Sequence, residues 1–69
     1  QYDKAVDRYN EILNYYPSDV VALNKLVGAY LSIEQKDEAV SALQEFLIEN
    51  QNHPNKPELE DLLGRIREQ

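Results

Sequence analysis

Tyr2, Ala5, Val6, Tyr9, Ile12, Leu13 and Tyr16 recur at the i, i+3, i+4, i+7 spacing of one helix face, while Lys4, Asp7, Arg8, Glu11 and Asn14 take the other. This pattern predicts a helix over 2–15. Pro17 ends it, since proline lacks an N–H and clashes with the preceding turn, and Ser18 or Asp19 can cap the next helix by accepting bonds from its free N–H groups. Leu23, Leu26, Val27, Tyr30 and Ile33 carry the same period over 20–33. Glu34, Gln35 and Lys36 read as a turn, and Ala39, Val40, Leu43, Phe46 and Leu47 mark a third helix over 37–50. So short a connection folds the third helix back on the second as an antiparallel hairpin.

Residues 51–56 are polar and contain Pro54, which predicts a surface loop. Pro57 suits the first position of a fourth helix, with Glu58, Glu60 and Asp61 near its positive end and Arg65 and Arg67 near its negative end. Leu59, Leu62, Leu63 and Ile66 make its narrow apolar stripe. A helix with one apolar face and one charged face is what closes a stacked array against water.

A longer period overlies the helical one. Gln1, Asp3, Ala5, Val6, Glu11 and Leu13 return 34 positions later as Gln35, Asp37, Ala39, Val40, Glu45 and Leu47. In that register the chain resembles the tetratricopeptide repeat family, whose helix-pair unit carries W-x2-L-G-x2-Y, then A-x3-F, then P. Ala5 and Tyr9 match A-x3-F in a first copy, and Pro17 stands at its proline. Leu23, Leu26, Val27 and Tyr30 take the W, L, G and Y positions of the next copy, with Ala39 and Leu43 at A and F. Val27, Glu34, Phe46 and Gln51 depart from the pattern, replacing a small residue, the turn glycine, a small residue and the proline. Leu63 and Gly64 read as a further L-G pair, displaced three residues by an insertion in the loop before the last helix.

The resemblance implies an all-α fold of antiparallel helix hairpins, stacked as a short right-handed α-solenoid and closed by a C-terminal capping helix. Residues 1–19 would be the second helix of a truncated repeat, 20–53 a full repeat, and 54–69 the loop and capping helix. Small residues beside large ones would form the core: Ala5 and Ala39 admit close helix approach, and Tyr9, Leu26, Tyr30 and Leu43 fill the space around them. The fold alternative is a four-helix bundle around one central core.

Composition limits the function. The chain has 69 residues and a net charge of −6, which opposes attraction to phosphate backbones and anionic lipid. No apolar run is long enough to span a bilayer or form a signal-peptide core. The chain has no cysteine, so disulfides and thiolate metal sites are excluded and the redox compartment is left open. The expected setting is soluble, with the cytoplasm favoured. Because Gln1 already stands inside a helical pattern, the chain reads as a fragment of a longer protein.

No phosphate-binding loop, nucleophile elbow or zinc-protease helix occurs, and no cofactor, metal or catalytic activity is expected. His53 has no second histidine beside it, and reads as a solvated loop residue. Asp37, Glu38, Glu60 and Asp61 lie near helix starts, where dipole stabilisation accounts for them. Tyr15 and Tyr16 are expected to pack at the repeat boundary.

In the family, the first helix of each repeat lines a concave groove for peptides or partner helices. The corresponding positions are Val21, Asn24, Lys25, Gly28, Leu31 and Ser32, two apolar side chains among hydrogen-bonding groups. The plain alternative is solvated helix surface. Asn24 and Lys25 invite comparison with family members that clamp a C-terminal carboxylate, but Asp61, Leu62 and Arg65 occupy the matching places in the last helix and the clamp is not reproduced. The expected function is a protein–protein interaction scaffold. The alternative is a self-associating or structural packing module, forming a homo-oligomer through the apolar face of residues 2–16.

Overall fold

The computed structural model describes residues 2–68 and consists of four α-helices: α1 (Tyr2–Tyr15), α2 (Val20–Ser32), α3 (Lys36–Glu49) and α4 (Lys56–Glu68). α1 packs on α2, α2 on α3 and α3 on α4, and no other pair of these helices brings Cα atoms within 8 Å of each other. A bundle with one central core would bring α1 and α4 together, so the helices form a serial stack. The molecule measures 33 × 31 × 14 Å along its principal axes. Its thin dimension is what two helix layers need, with axes roughly 8–10 Å apart and a Cα radius of about 2.3 Å on each outer side.

The core lies where α2, α3 and α4 converge. Leu23, Val27, Ala39, Leu43, Phe46, Leu59 and Ile66 form one buried cluster, flanked by half-buried Leu13, Val20, Tyr30, Val40, Ala42, Leu47, Leu62 and Leu63. Ala39 has no exposed surface, and its methyl group lies inside that cluster. Ala22, Leu26 and Ala29 are buried on α2 outside that cluster. Among the residues expected in the core, Leu26, Ala39 and Leu43 are buried, whereas Ala5, Tyr9 and Tyr30 are half-buried. α1 has a single neighbour, α2, which covers only part of its apolar face.

Each helix boundary has a local cause. Asp19 caps α2, its carboxylate accepting from the N–H groups of Val21 at 3.0 Å and Ala22 at 3.1 Å. α2 ends at Ser32, one residue before the sequence pattern suggests. Gln35 N–H reaches back to the Tyr30 carbonyl at 2.8 Å and Glu34 N–H to that of Leu31 at 3.1 Å. This paired closure is a Schellman motif, and it puts Glu34 in the left-handed region at φ 58°. The place where the family pattern has glycine is thus the place where the backbone needs one. α3 starts and ends one residue earlier than expected. α4 starts at Lys56, because Leu59 N–H bonds the Asn55 carbonyl at 2.9 Å. Pro57 is then the second helical residue, still in the first turn, where its missing N–H costs nothing.

The two loops at one end of the stack are laced together. Asn50 donates from its side-chain amide to the Pro17 carbonyl and the Phe46 carbonyl, both at 3.0 Å. His53 accepts the Asn55 N–H at Nδ1, 3.0 Å away, so its Nε2 carries the proton and donates to the Ser18 carbonyl at 3.2 Å. Its ring also stands edge-on to Phe46, with centroids 5.4 Å apart at 62°. His53 is therefore half-buried and tied in place, which corrects its reading as a solvated loop residue. The correction is tertiary in origin, since the carbonyl it binds lies 35 positions away. Tyr15 and Tyr16 are also corrected: they are 77% and 67% exposed. Tyr16 falls in the turn after α1, and Tyr15 lies off the helix stripe.

Glu34→Gly is expected to raise stability by about 1 kcal/mol by removing left-handed strain, partly offset by the freer unfolded chain. Asp19→Ala should lower it by about 1 kcal/mol. His53→Ala should lower it by about 1–2 kcal/mol, the sum of two solvent-edge hydrogen bonds and an aromatic edge contact. Urea denaturation followed by circular dichroism reads all three. An unchanged midpoint for His53→Ala would show that the lacing between loops contributes nothing.

Candidate functional site

α2 has two unlike sides. At 100° per residue Leu23, Leu26, Val27 and Tyr30 gather on one side and Val21, Asn24, Lys25, Gly28, Leu31 and Ser32 on the other. The structure places all six of the latter residues in solvent. Val21 is 59% exposed and Leu31 36%, so the outer face has an apolar residue near each end. Asn24 and Lys25 stand between them, one turn before Gly28. The Ser32 hydroxyl donates to the Gly28 carbonyl at 2.9 Å, which commits its proton to the helix and leaves its lone pairs free to accept.

Gly28 is the residue that internal packing does not explain. A helix-interior glycine costs roughly 1 kcal/mol relative to alanine, through the extra backbone freedom it loses on folding. Beyond its chain neighbours and the nearby backbone of its own helix, no atom lies within 4 Å of where its Cβ would stand, so packing against the rest of the fold does not require the small residue. It leaves a stretch of bare backbone in the middle of the exposed face.

The next helix of the stack presents different chemistry. On α4, Asp61 and Arg65 form an exposed ion pair at 2.6 Å, and Leu62 is half-buried. Gly64, at the position matching buried Val27, is exposed and surrounded by open space. Among the described residues no group of three or more His, Asp or Glu side chains is arranged to hold a metal ion. Among the same residues no helix is long and apolar enough to cross a membrane.

Serial antiparallel helices, a core shared between successive hairpins and a free face on α2 define the class as an α-helical repeat protein. The family model for the tetratricopeptide repeat matches residues 1–66, and the chain belongs to that family. No curated protein and no solved structure matches it. Tetratricopeptide repeats mediate protein–protein interaction and are typically non-catalytic scaffolds.

Sequence reasoning had no means of finding His53 or Asn50 as structural residues. Each acts on a loop carbonyl that no local pattern marks. Gly28→Ala is expected to raise stability by about 0.5–1 kcal/mol, because the added methyl meets nothing and the unfolded chain loses freedom. A higher thermal midpoint by calorimetry would check it, and a lower one would mean that the glycine is needed for packing.

Proposed function

We propose that this chain is a non-catalytic docking module that holds a peptide or a partner helix against the outer face of α2. What supports the reading is the one exposed face that combines Val21 and Leu31, the hydrogen-bonding groups of Asn24, Lys25 and Ser32, and the bare backbone of Gly28. A ligand lying along this face places apolar side chains against Val21 and Leu31 and polar groups against Asn24 and Lys25. Gly28 allows its backbone close approach. The division into a half repeat (1–19), a full repeat (20–53) and a loop with closing helix (54–69) belongs to the same proposal, since it makes α2 the groove-lining helix of the complete unit. Nucleic acid and membrane surfaces are not partners in this reading, because the net charge of −6 repels both.

The test is selection from a random peptide library displayed on phage, with the full chain as bait, followed by affinity measurement of the enriched peptides. Leu31→Glu and Gly28→Ala should each weaken them by about tenfold while helicity is kept, the loss of one well-packed contact. Peptides that bind both variants as well as the parent would remove the outer face of α2 as the site.

A second reading rests on α1. Ala5, Val6, Tyr9, Ile12 and Leu13 share one helix stripe, yet none is fully buried. Two copies that pair these stripes would complete the burial. If that reading holds, light scattering over a wide concentration range shows a dimer that Tyr9→Glu abolishes, whereas a constant monomer mass eliminates self-association.

A further inference from the structure

On the side of α2 away from the proposed docking face, the backbones of α1 and α3 stand apart, with no Cα atom of one within 8 Å of the other. The gap between them is a cleft of about 350 Å³. Buried Leu23, Leu26 and Phe46 lie beneath it, and the apolar surface it leaves accessible is that of half-buried Tyr30, Leu13 and Ala42 and exposed Pro17. The rim is sharply asymmetric. Asn10 and Asn14, one turn apart on α1, face Glu38, Glu45 and Glu49 on α3. These three glutamates recur at i, i+7 and i+11, one stripe of the helix, and all three are exposed. None has a cationic partner among the described residues; the ion pair of Asp61 and Arg65 lies on α4.

We propose that this cleft is a second docking surface, and that its occupant is a basic amphipathic segment of a partner protein. Charge complementarity selects that occupant. A second copy of this chain would bring another −6 to an already acidic rim, whereas lysine or arginine side chains can lay their aliphatic stems on Tyr30, Leu13 and Ala42 and direct their charge to the glutamates. Glu38 to Glu49 spans roughly 16 Å of helix, at about 1.5 Å per residue. That length accommodates about 5 residues of extended chain or three turns of helix. Asn10 and Asn14 each supply an amide that can donate to and accept from a peptide backbone. The Asn10 amide now lies 3.5 Å from the Tyr30 hydroxyl, a long bond that a ligand can displace at little cost. The surface is separate from the outer face of α2, so the molecule would hold two ligands on opposite sides of one helix.

The probe is a capped peptide of about 12 residues, the helix length from Glu38 to Glu49. It carries arginines at the i, i+7, i+11 spacing and leucines between them on the same side. Titrated into the isotope-labelled full chain at low salt, it should move the amide resonances of Asn10, Asn14, Tyr30, Ala42 and Glu45 and leave Val21, Asn24 and Leu31 in place. The triple variant E38Q/E45Q/E49Q should weaken binding by about tenfold, as expected for losing three rim-exposed ion pairs. E58Q/E60Q/E68Q removes the same charge from α4 and should change it less than about twofold. Circular dichroism verifies that both variants keep their helicity. Equal weakening by the two variants would reduce the effect to general attraction between opposite charges and overturn the proposal. So would an absence of binding, resonance changes centred on Val21 and Leu31, or cleft resonances that move with protein concentration alone. The last two outcomes would assign the occupant to the outer face or to a second copy.

Discussion

The close packing around Ala39 is the constraint on which the other packing depends. Its methyl group, fully buried, shares one cluster with Leu23, Val27 and Leu43, where a small residue beside large ones lets the side chains interdigitate. Phe46, Leu59 and Ile66 then extend the same cluster to α4. α2 is consequently held from both sides, by α1 and by α3, and its remaining face has no neighbour. The docking proposal rests on this face, since a surface on a helix held from both sides would lose little entropy on binding.

The loops do more than connect. A proline and a capping aspartate break the chain between α1 and α2, and this leaves the carbonyls of Pro17 and Ser18 without helical partners. Asn50 and His53 supply those partners from the other loop at the same end of the stack. This arrangement also gives a physical meaning to two departures from the family pattern. Phe46, where a small residue is usual, is buried beneath the loop and takes the edge of the His53 ring. The longer connection before α4 provides the His53 that rests on it. The large residue and the inserted segment thus belong to one local solution, in which an aromatic contact and two hydrogen bonds hold a loop that would otherwise be loosely attached.

No polar or charged side chain is buried among the described residues, and none of their buried side-chain polar atoms lacks a hydrogen-bond partner. The core is therefore apolar packing of the least selective kind, and the chemistry of recognition lies on the surface. α2 divides that surface in two. One side carries apolar residues spaced by amides and an ammonium group; the other opens into a cleft with an acidic rim. The two differ in charge and in shape, which is why the two proposed docking surfaces call for different ligands.

Much of the architecture was legible in the residues because it is periodic. The apolar stripes located four helices to within about a residue at each end, and the recurrence of Ala5 and Val6 as Ala39 and Val40 set the repeat register. The outer face of α2 was legible as well, since a helix that buries Leu23, Leu26 and Val27 must turn Asn24, Gly28 and Leu31 the opposite way. Tyr15 and Tyr16 were misread for the same reason, as apolar character alone does not say where the helix stops turning. The sequence by itself determined the class of fold, the spacing of the helices along the chain and which side chains share a face, because these follow from local periodicity. Only the tertiary structure decided that Ala5 and Tyr9 are half-covered, that His53 is a tether, and that α1 and α3 part over α2 to leave a cleft. Those features depend on how far apart packed helices stand, and distance between helices is set by side chains remote in sequence.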